Sequence, residues 1–186
     1  MEIFNKELLY SIILVIGFVF SYSMPHLKDR KNLLFFNVIA NFFFAYYFFL
    51  VDANAGMIAS IIALISSTIQ MTFSYGEIDK TAKLRFFMAL VMSIIAIITG
   101  CNNNTDILPL IAVVIVRMAE AQKSVFLIKC SNIVPIILWI IYTYTNDLYL
   151  AFAGDSLLLL SYIWGIYRTR PKNIIIPNKN CTDYRK

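Results

Sequence analysis

A chain of 186 residues that is 60% hydrophobic and only 15% charged departs from soluble domains, in which about half the residues are apolar and about a quarter charged. Its length fits one compact unit rather than several domains, and its mean hydropathy is +0.72. The net charge of +5 is not a nucleic-acid footprint, because Lys and Arg fall in loops and at the C-terminus rather than along one face; no nucleic-acid partner is expected.

In chain order, apolar runs occur at about 7–24, 33–52, 56–74, 84–100, 107–120, 125–145 and 148–167. Each approaches the roughly 20 residues that cross about 30 Å of hydrocarbon. The first follows Glu2, Lys6 and Glu7 and leads to no small-residue cleavage site, so it is expected to stay as a helix rather than leave as a signal peptide. The breaks are polar: Pro25 to Asn32 is charged, 52–56 reads as a tight turn, 76–83 is charged, 100–106 is rich in Asn, and 119–124 and 144–147 are short polar turns. The sequence therefore predicts an all-α membrane protein of about seven transmembrane helices at 1–170, with a cytoplasmic tail at 171–186.

The fifth run is the shortest, with Ile107 to Val116 its only cleanly apolar stretch, and charge supports its crossing. With seven spans and the N-terminus outside, fifteen of the sixteen Lys and Arg lie on the inner side and Lys6 alone lies outside, the bias that orients membrane proteins. An internal repeat supports it too. A shift of 95 residues brings Lys28 onto Lys123, Asn37 onto Asn132, Tyr47 onto Tyr142 and Asp52 onto Asp147. Units at about 7–74 and 107–167 then run the same way across the membrane, with 84–100 as a linker helix (3+1+3).

That plan resembles the SWEET and PQ-loop superfamily of small-solute transporters. Ser23-Met24-Pro25-His26 lies where PQ-loop proteins carry Pro-Gln, with His in place of Gln; Ala119-Glu120-Ala121-Gln122 in the second unit has no proline. Lys28-Asp29-Arg30-Lys31 before Leu33-Leu34, Leu138-Trp139-Ile140-Ile141-Tyr142, and a last span ending at Arg168 are similar to the YgjV family of bacterial inner-membrane proteins. The resemblance covers about residues 8–168. It implies a multi-pass protein of the bacterial cytoplasmic (inner) membrane, N-terminus outside and C-terminus in the cytoplasm, but no substrate.

Among residues able to carry chemistry, Asp155 stands out. Eight residues beyond Asp147, it lies about 12 Å into the last span, where an ionisable group is costly unless paired, hydrated or protonated and either marks a pathway or binding role or makes a structural hydrogen bond. Its counterpart in the first unit is Ser60, which makes any site asymmetric. Asn37 and Asn132 form the matched pair, and Asn41 lies one turn beyond Asn37; amides either hydrogen-bond a solute or join helices. Trp139 and Tyr142 share a face that either stacks on a ring-shaped solute or packs. Substrate binding is assigned to Asp155, Asn37, Asn132, Trp139, Asn41 and Ser60.

Pro135 reads as a hinge, whereas Pro109 lies near a helix start, where proline is tolerated. Small residues from Ala55 to Ser67 favour close helix packing. Arg117, Glu120, Lys123 and Lys129 read either as an inner-mouth charge network or, as the safer expectation, as snorkelling cations. Cys101, Cys130 and Cys181 are far apart, and with the single His26 they suggest no disulfide, metal or cofactor site. No catalytic motif is visible, so an enzyme is not expected. The expected partners are the lipid bilayer and a small polar solute, and the sequence allows a homo-oligomer. The leading function is a small-solute transporter or facilitator; the alternative is a receptor or assembly protein that acts through a protein partner.

Overall fold

The computed structural model describes residues 2–72, 80–100, 104–122 and 124–169, and the regular structure among them is helical. Helix α1 (Glu2–Ser23) runs into a 3-10 turn, Met24–His26, in which Pro25 sits at the front, where its missing N–H costs nothing. Asp29 caps α2 (Arg30–Leu50), its carboxylate accepting from the Asn32 N–H at 3.1 Å. Helices α3 (Asn54–Thr72) and α4 (Ala82–Gly100) follow.

A second 3-10 turn, Asn104–Asp106, leads into α5 (Ile107–Glu120), the short fifth run of the sequence. Its 14 residues reach about 21 Å, and the 3-10 turn adds about 6 Å, which brings the segment near the thickness of the hydrocarbon. Pro109 lies in its first turn and interrupts nothing. The sixth run is split. Helix α6 (Val125–Ser131) ends and α7 (Ile133–Thr145) begins around Asn132; Pro135 has no N–H to give the Ser131 carbonyl four residues behind it. Helix α8 (Tyr149–Thr169) closes the described chain. The tail at 171–186, Lys123, Cys101 and Cys181 lie outside the described residues.

The 95-residue shift reappears in the backbone. The N–H of Ala53 bonds to the Phe48 carbonyl at 2.9 Å, and that of Leu148 to Thr143 at 2.9 Å; Met57 bonds to Ala53 at 3.0 Å, and Phe152 to Leu148 at 2.9 Å. At the opposite end of the helices, Leu27 bonds to Met24 and Gln122 to Ala119, while Leu33 bonds to Asp29 and Ile128 to Ser124. The two caps also correspond: Ser124 accepts from the Leu127 N–H as Asp29 accepts from Asn32.

Helix contacts run from α1 to α2, α2 to α3, α3 to α5, α5 to α7, α7 to α8 and α8 back to α1, with α4 laid against α3 and α5. Inside this circuit Leu14, Phe18, Tyr47, Phe48, Ala55, Tyr142 and Ala151 form one buried cluster, and Ala59, Ile62, Leu110 and Val113 a second. The small residues of α3, from Ala55 and Gly56 to Ser66 and Ser67, are buried, as close packing requires. Outside it Phe42, Phe49, Ile98, Leu157 and Trp164 stand exposed, an apolar exterior that suits lipid rather than water. Among the described residues five segments, Lys6–His26, Arg30–Leu50, Asn54–Thr72, Val125–Thr145 and Tyr149–Thr169, are long and apolar enough to cross a membrane.

Candidate functional site

The helices of the circuit line a cavity of about 110 Å³, room for several waters or a small solute. Both ends of the chain contribute. Phe18 comes from α1; Asn37, Asn41, Phe44 and Phe48 from α2; Ser60 and Ala63 from α3; Val113, Arg117 and Glu120 from α5. Trp139 projects from α7, and Asp155, Leu158 and Tyr162 from α8. All six residues singled out in the sequence, Asp155, Asn37, Asn132, Trp139, Asn41 and Ser60, lie on this one wall.

Two carboxylates line the wall, and Asp155 is the one that no cation pairs with among the described residues. Among the described residues, the hydroxyl that reaches it as a donor is that of Thr143, 3.5 Å from Oδ2, at the outer limit of a hydrogen bond. That hydroxyl has one proton, and the Trp139 carbonyl lies much closer, at 2.9 Å. The backbone around Asp155 is held from across the circuit: Tyr22 donates to the Gly154 carbonyl at 3.0 Å, and the Phe18 ring lies directly on Gly154, where a Cβ would collide with it. Aromatic rings extend from there. Phe18 stacks on Tyr22 and meets Phe44 edge-on at 5.1 Å; Phe48 stacks on Trp139 at 5.3 Å, with Tyr142 edge-on to Trp139 at 5.7 Å.

The amides serve unequally. Asn37 is spent on its neighbours: its Nδ2 donates to Glu120 Oε1 at 2.6 Å and to Ser67 Oγ at 3.0 Å, and its Oδ1 accepts from Asn41 at 2.7 Å. Asn132 donates to the Tyr162 hydroxyl at 3.4 Å, a long bond. Ser60 is buried on α3.

Arg117 corrects the expectation of a snorkelling cation. It is 1% exposed and is paired in both directions with Glu120, Nη1 to Oε2 at 2.6 Å and Nη2 to Oε1 at 3.1 Å. Nη1 also reaches Ser67 Oγ at 2.7 Å and the Ala63 carbonyl at 3.0 Å, while Nε has no partner. Snorkelling needs a side chain free to reach the membrane surface; here a carboxylate three residues along the same helix holds it inside. Lys129, also buried, takes no part in these bonds.

Arg30, within the charged run 28–31, is buried as well. It donates to the carbonyls of Glu120 at 2.7 Å, Gln122 at 3.2 Å and Gln70 at 3.3 Å, and to Gln70 Oε1 at 3.3 Å. These carbonyls belong to the ends of α3 and α5, where helices leave acceptors unfilled and attract cations. Arg30, Gln70, Asn37, Ser67, Arg117 and Glu120 thus form one polar plug at this end of the cavity. The i, i+3 spacing of Arg117 and Glu120 was a legible signal for the pair; nothing in the sequence marked Ser67, Gln70 or Arg30 as their partners. His26 is exposed at the same end, 3.4 Å from Ser161 Oγ.

A family model described as a bacterial inner membrane protein, Imp-YgjV, matches residues 8–173. The chain belongs to the YgjV family. The match takes in most of α1, all of α2 to α8 and every residue of the cavity wall. No curated protein and no solved structure matches the chain. Membership of this family and the apolar helices make the chain a membrane protein of a bacterial inner-membrane family.

Proposed function

We propose that this YgjV-family protein is a small-solute transporter or facilitator whose site is the central cavity, between two parallel three-helix units. The units are α1–α2–α3 and α5–α6/α7–α8, with α4 as linker, the 3+1+3 plan of SWEET-like proteins. The first helix of each unit touches the last helix of the other, α1 on α8 and α3 on α5, as a two-fold axis along the membrane normal demands. The hydrogen bonds repeated at a shift of 95 residues support the same relation. The N-terminus is outside and the Arg30 plug faces the cytoplasm, in keeping with the positive-inside bias.

The observation that carries the reading is the cavity itself: a space between the units, lined by rings, amides and a carboxylate that no cation neutralises among the described residues. A group of this kind in a membrane is retained at a cost of several kcal/mol, and a solute path explains why.

A thermal-stability screen of the purified protein in detergent tests it. The panel holds sugars, nucleosides, amines, amino acids and organic acids. A bound solute raises the unfolding midpoint by mass action, about 2.7 kcal/mol at a hundred times its dissociation constant. A hit that Asp155→Asn abolishes supports a solute site in the cavity. A panel without a hit, with one protein reproducibly co-purifying, sinks the reading in favour of a receptor or assembly role.

A further inference from the structure

We infer that the cavity takes a small organic cation, an amine or quaternary ammonium, with Asp155 as its counter-ion and the aromatic wall as its cradle; the inference rests on the solute-binding reading above. Three ionisable side chains with carboxylate or guanidinium heads face the cavity: Asp155, Glu120 and Arg117. Arg117 and Glu120 neutralise each other through two short contacts. The one nitrogen of Arg117 that lacks a partner is itself sealed from the cavity, so the guanidinium offers nothing to an incoming anion.

Asp155 is the reverse. It has no cation beside it among the described residues, and its nearest donor is the shared Thr143 hydroxyl at 3.5 Å. An ionised carboxylate in such a place attracts a positive solute and repels a negative one. Neutral solutes leave its charge uncompensated.

The remaining wall selects the kind of cation. Phe18, Phe44, Phe48 and Trp139 line the same space, and ring faces attract ammonium groups, most strongly when water is excluded. Calcium or magnesium requires six or more oxygens in its shell, and the described residues hold no group of three or more metal-ligating side chains. The wall therefore suits a cation whose own apolar groups replace water, with Trp139 and Phe48, stacked on each other, as one face of the cradle.

Choline tests this against its uncharged isostere 3,3-dimethylbutanol, with acetate and sodium chloride as further arms, by calorimetry and by thermal stability of the purified full chain. Choline is expected to bind and to stabilise, the isostere and acetate are not, and sodium chloride alone is expected to leave the midpoint unchanged. Asp155→Asn should weaken choline at least tenfold, and Trp139→Leu by about 2- to 30-fold, the range of a cation–ring contact. Comparison of choline with the isostere needs no variant, so it decides even if Asp155→Asn folds poorly. Equal stabilisation by the isostere, by acetate or by sodium, or unweakened choline binding in a folded Asp155→Asn, overturns the organic-cation inference and leaves solute binding standing. Absence of binding for every probe here and in the wider panel removes both.

Discussion

Asp52 and Asp147 occupy the same place in two turns 95 residues apart, with φ of 56° and 57°. Each follows a helix, α2 or α7, and precedes the next, and each sits where a left-handed residue ends a helix. The flanking bonds are those of a Schellman motif: Asp52 to Phe49 at 3.4 Å and Ala53 to Phe48 at 2.9 Å; Asp147 to Tyr144 at 3.3 Å and Leu148 to Thr143 at 2.9 Å. Glycine is the usual residue there, and aspartate tolerates the conformation through its short polar side chain. Asp52→Gly should therefore raise stability by about 0.5–1 kcal/mol. Asp147→Gly should gain less, since it also gives up the bond from the Tyr149 hydroxyl at 2.8 Å. Asp52→Val should cost about 1–3 kcal/mol. Thermal unfolding in detergent ranks the three, and a stabilising valine would exclude backbone strain as the cause.

Which parts of this architecture were legible follows from what makes each part. The helix ends were, because Pro25, Asp29, Ser124 and the Asp52 and Asp147 turns are local chemistry. The bonds repeated at a shift of 95 residues were in part, because Lys28 with Lys123 and Asp52 with Asp147 match at such ends. Asp155 drew attention because a carboxylate within an apolar run has few explanations, and the structure sets it on one cavity wall with the other five residues chosen. The polar plug was not legible. Arg30, Gln70 and Glu120 come from three helices, with sequence separations of 40 and 90 residues across their bonds, and no local pattern encodes such meetings. The chemistry of Asn37 was hidden likewise: the sequence left solute and helix partner equally open, and its bonds to Ser67 and Glu120 tie it to its neighbours.

The Arg117–Glu120 pair sets a stability test with a distinctive sign. Glu120→Ala leaves the guanidinium buried without its counter-ion, which costs about 3–5 kcal/mol. Replacing both residues with leucine removes the two charges together and should cost much less than Glu120→Ala alone, because the penalty is for an unpaired charge rather than for the lost contact. Unfolding midpoints of the wild type, the single variant and the double variant decide this. A double variant as unstable as Glu120→Ala would mean that Ser67 and Asn37, not the charges, depend on the carboxylate.

Two glycines separate backbone crowding from side-chain crowding. A Cβ on Gly165 would lie 2.6 Å from Pro25 Cβ and 2.8 Å from the Pro25 carbonyl oxygen, so α8 and the Met24–His26 turn would have to part. A Cβ on Gly17 would lie 2.7 Å from Cε1 of Phe44, the far part of a ring that can turn. Gly165→Ala should cost about 1–3 kcal/mol as an overpacked contact, and Gly17→Ala should cost less. Equal midpoints for the two variants would contradict the tight approach of Pro25 to α8.

Pro135 interrupts the hydrogen-bond ladder of the sixth span. Asn132 keeps a near-helical backbone, φ −75° and ψ −13°, but its N–H turns to Lys129 at 3.2 Å, three residues back, and the ladder resumes with Ile136 to Asn132 at 3.1 Å. A proline four residues on leaves the Ser131 carbonyl without its helical donor and crowds it. Pro135→Ala restores that N–H, so α6 and α7 should merge, and amides from 132 to 134 should exchange with deuterium more slowly than the wild type's. The variant also separates binding from movement. Since Pro135 lies on the cavity wall beside Asn132, a solute that binds the variant as it binds the wild type, but crosses proteoliposomes more slowly, would make the break a hinge for alternating access. Unchanged exchange at 132–134 would instead assign the break to packing of Asn132 against Tyr162, whose hydroxyl it reaches at 3.4 Å, and Tyr162→Phe added to Pro135→Ala would then be the change that closes the ladder.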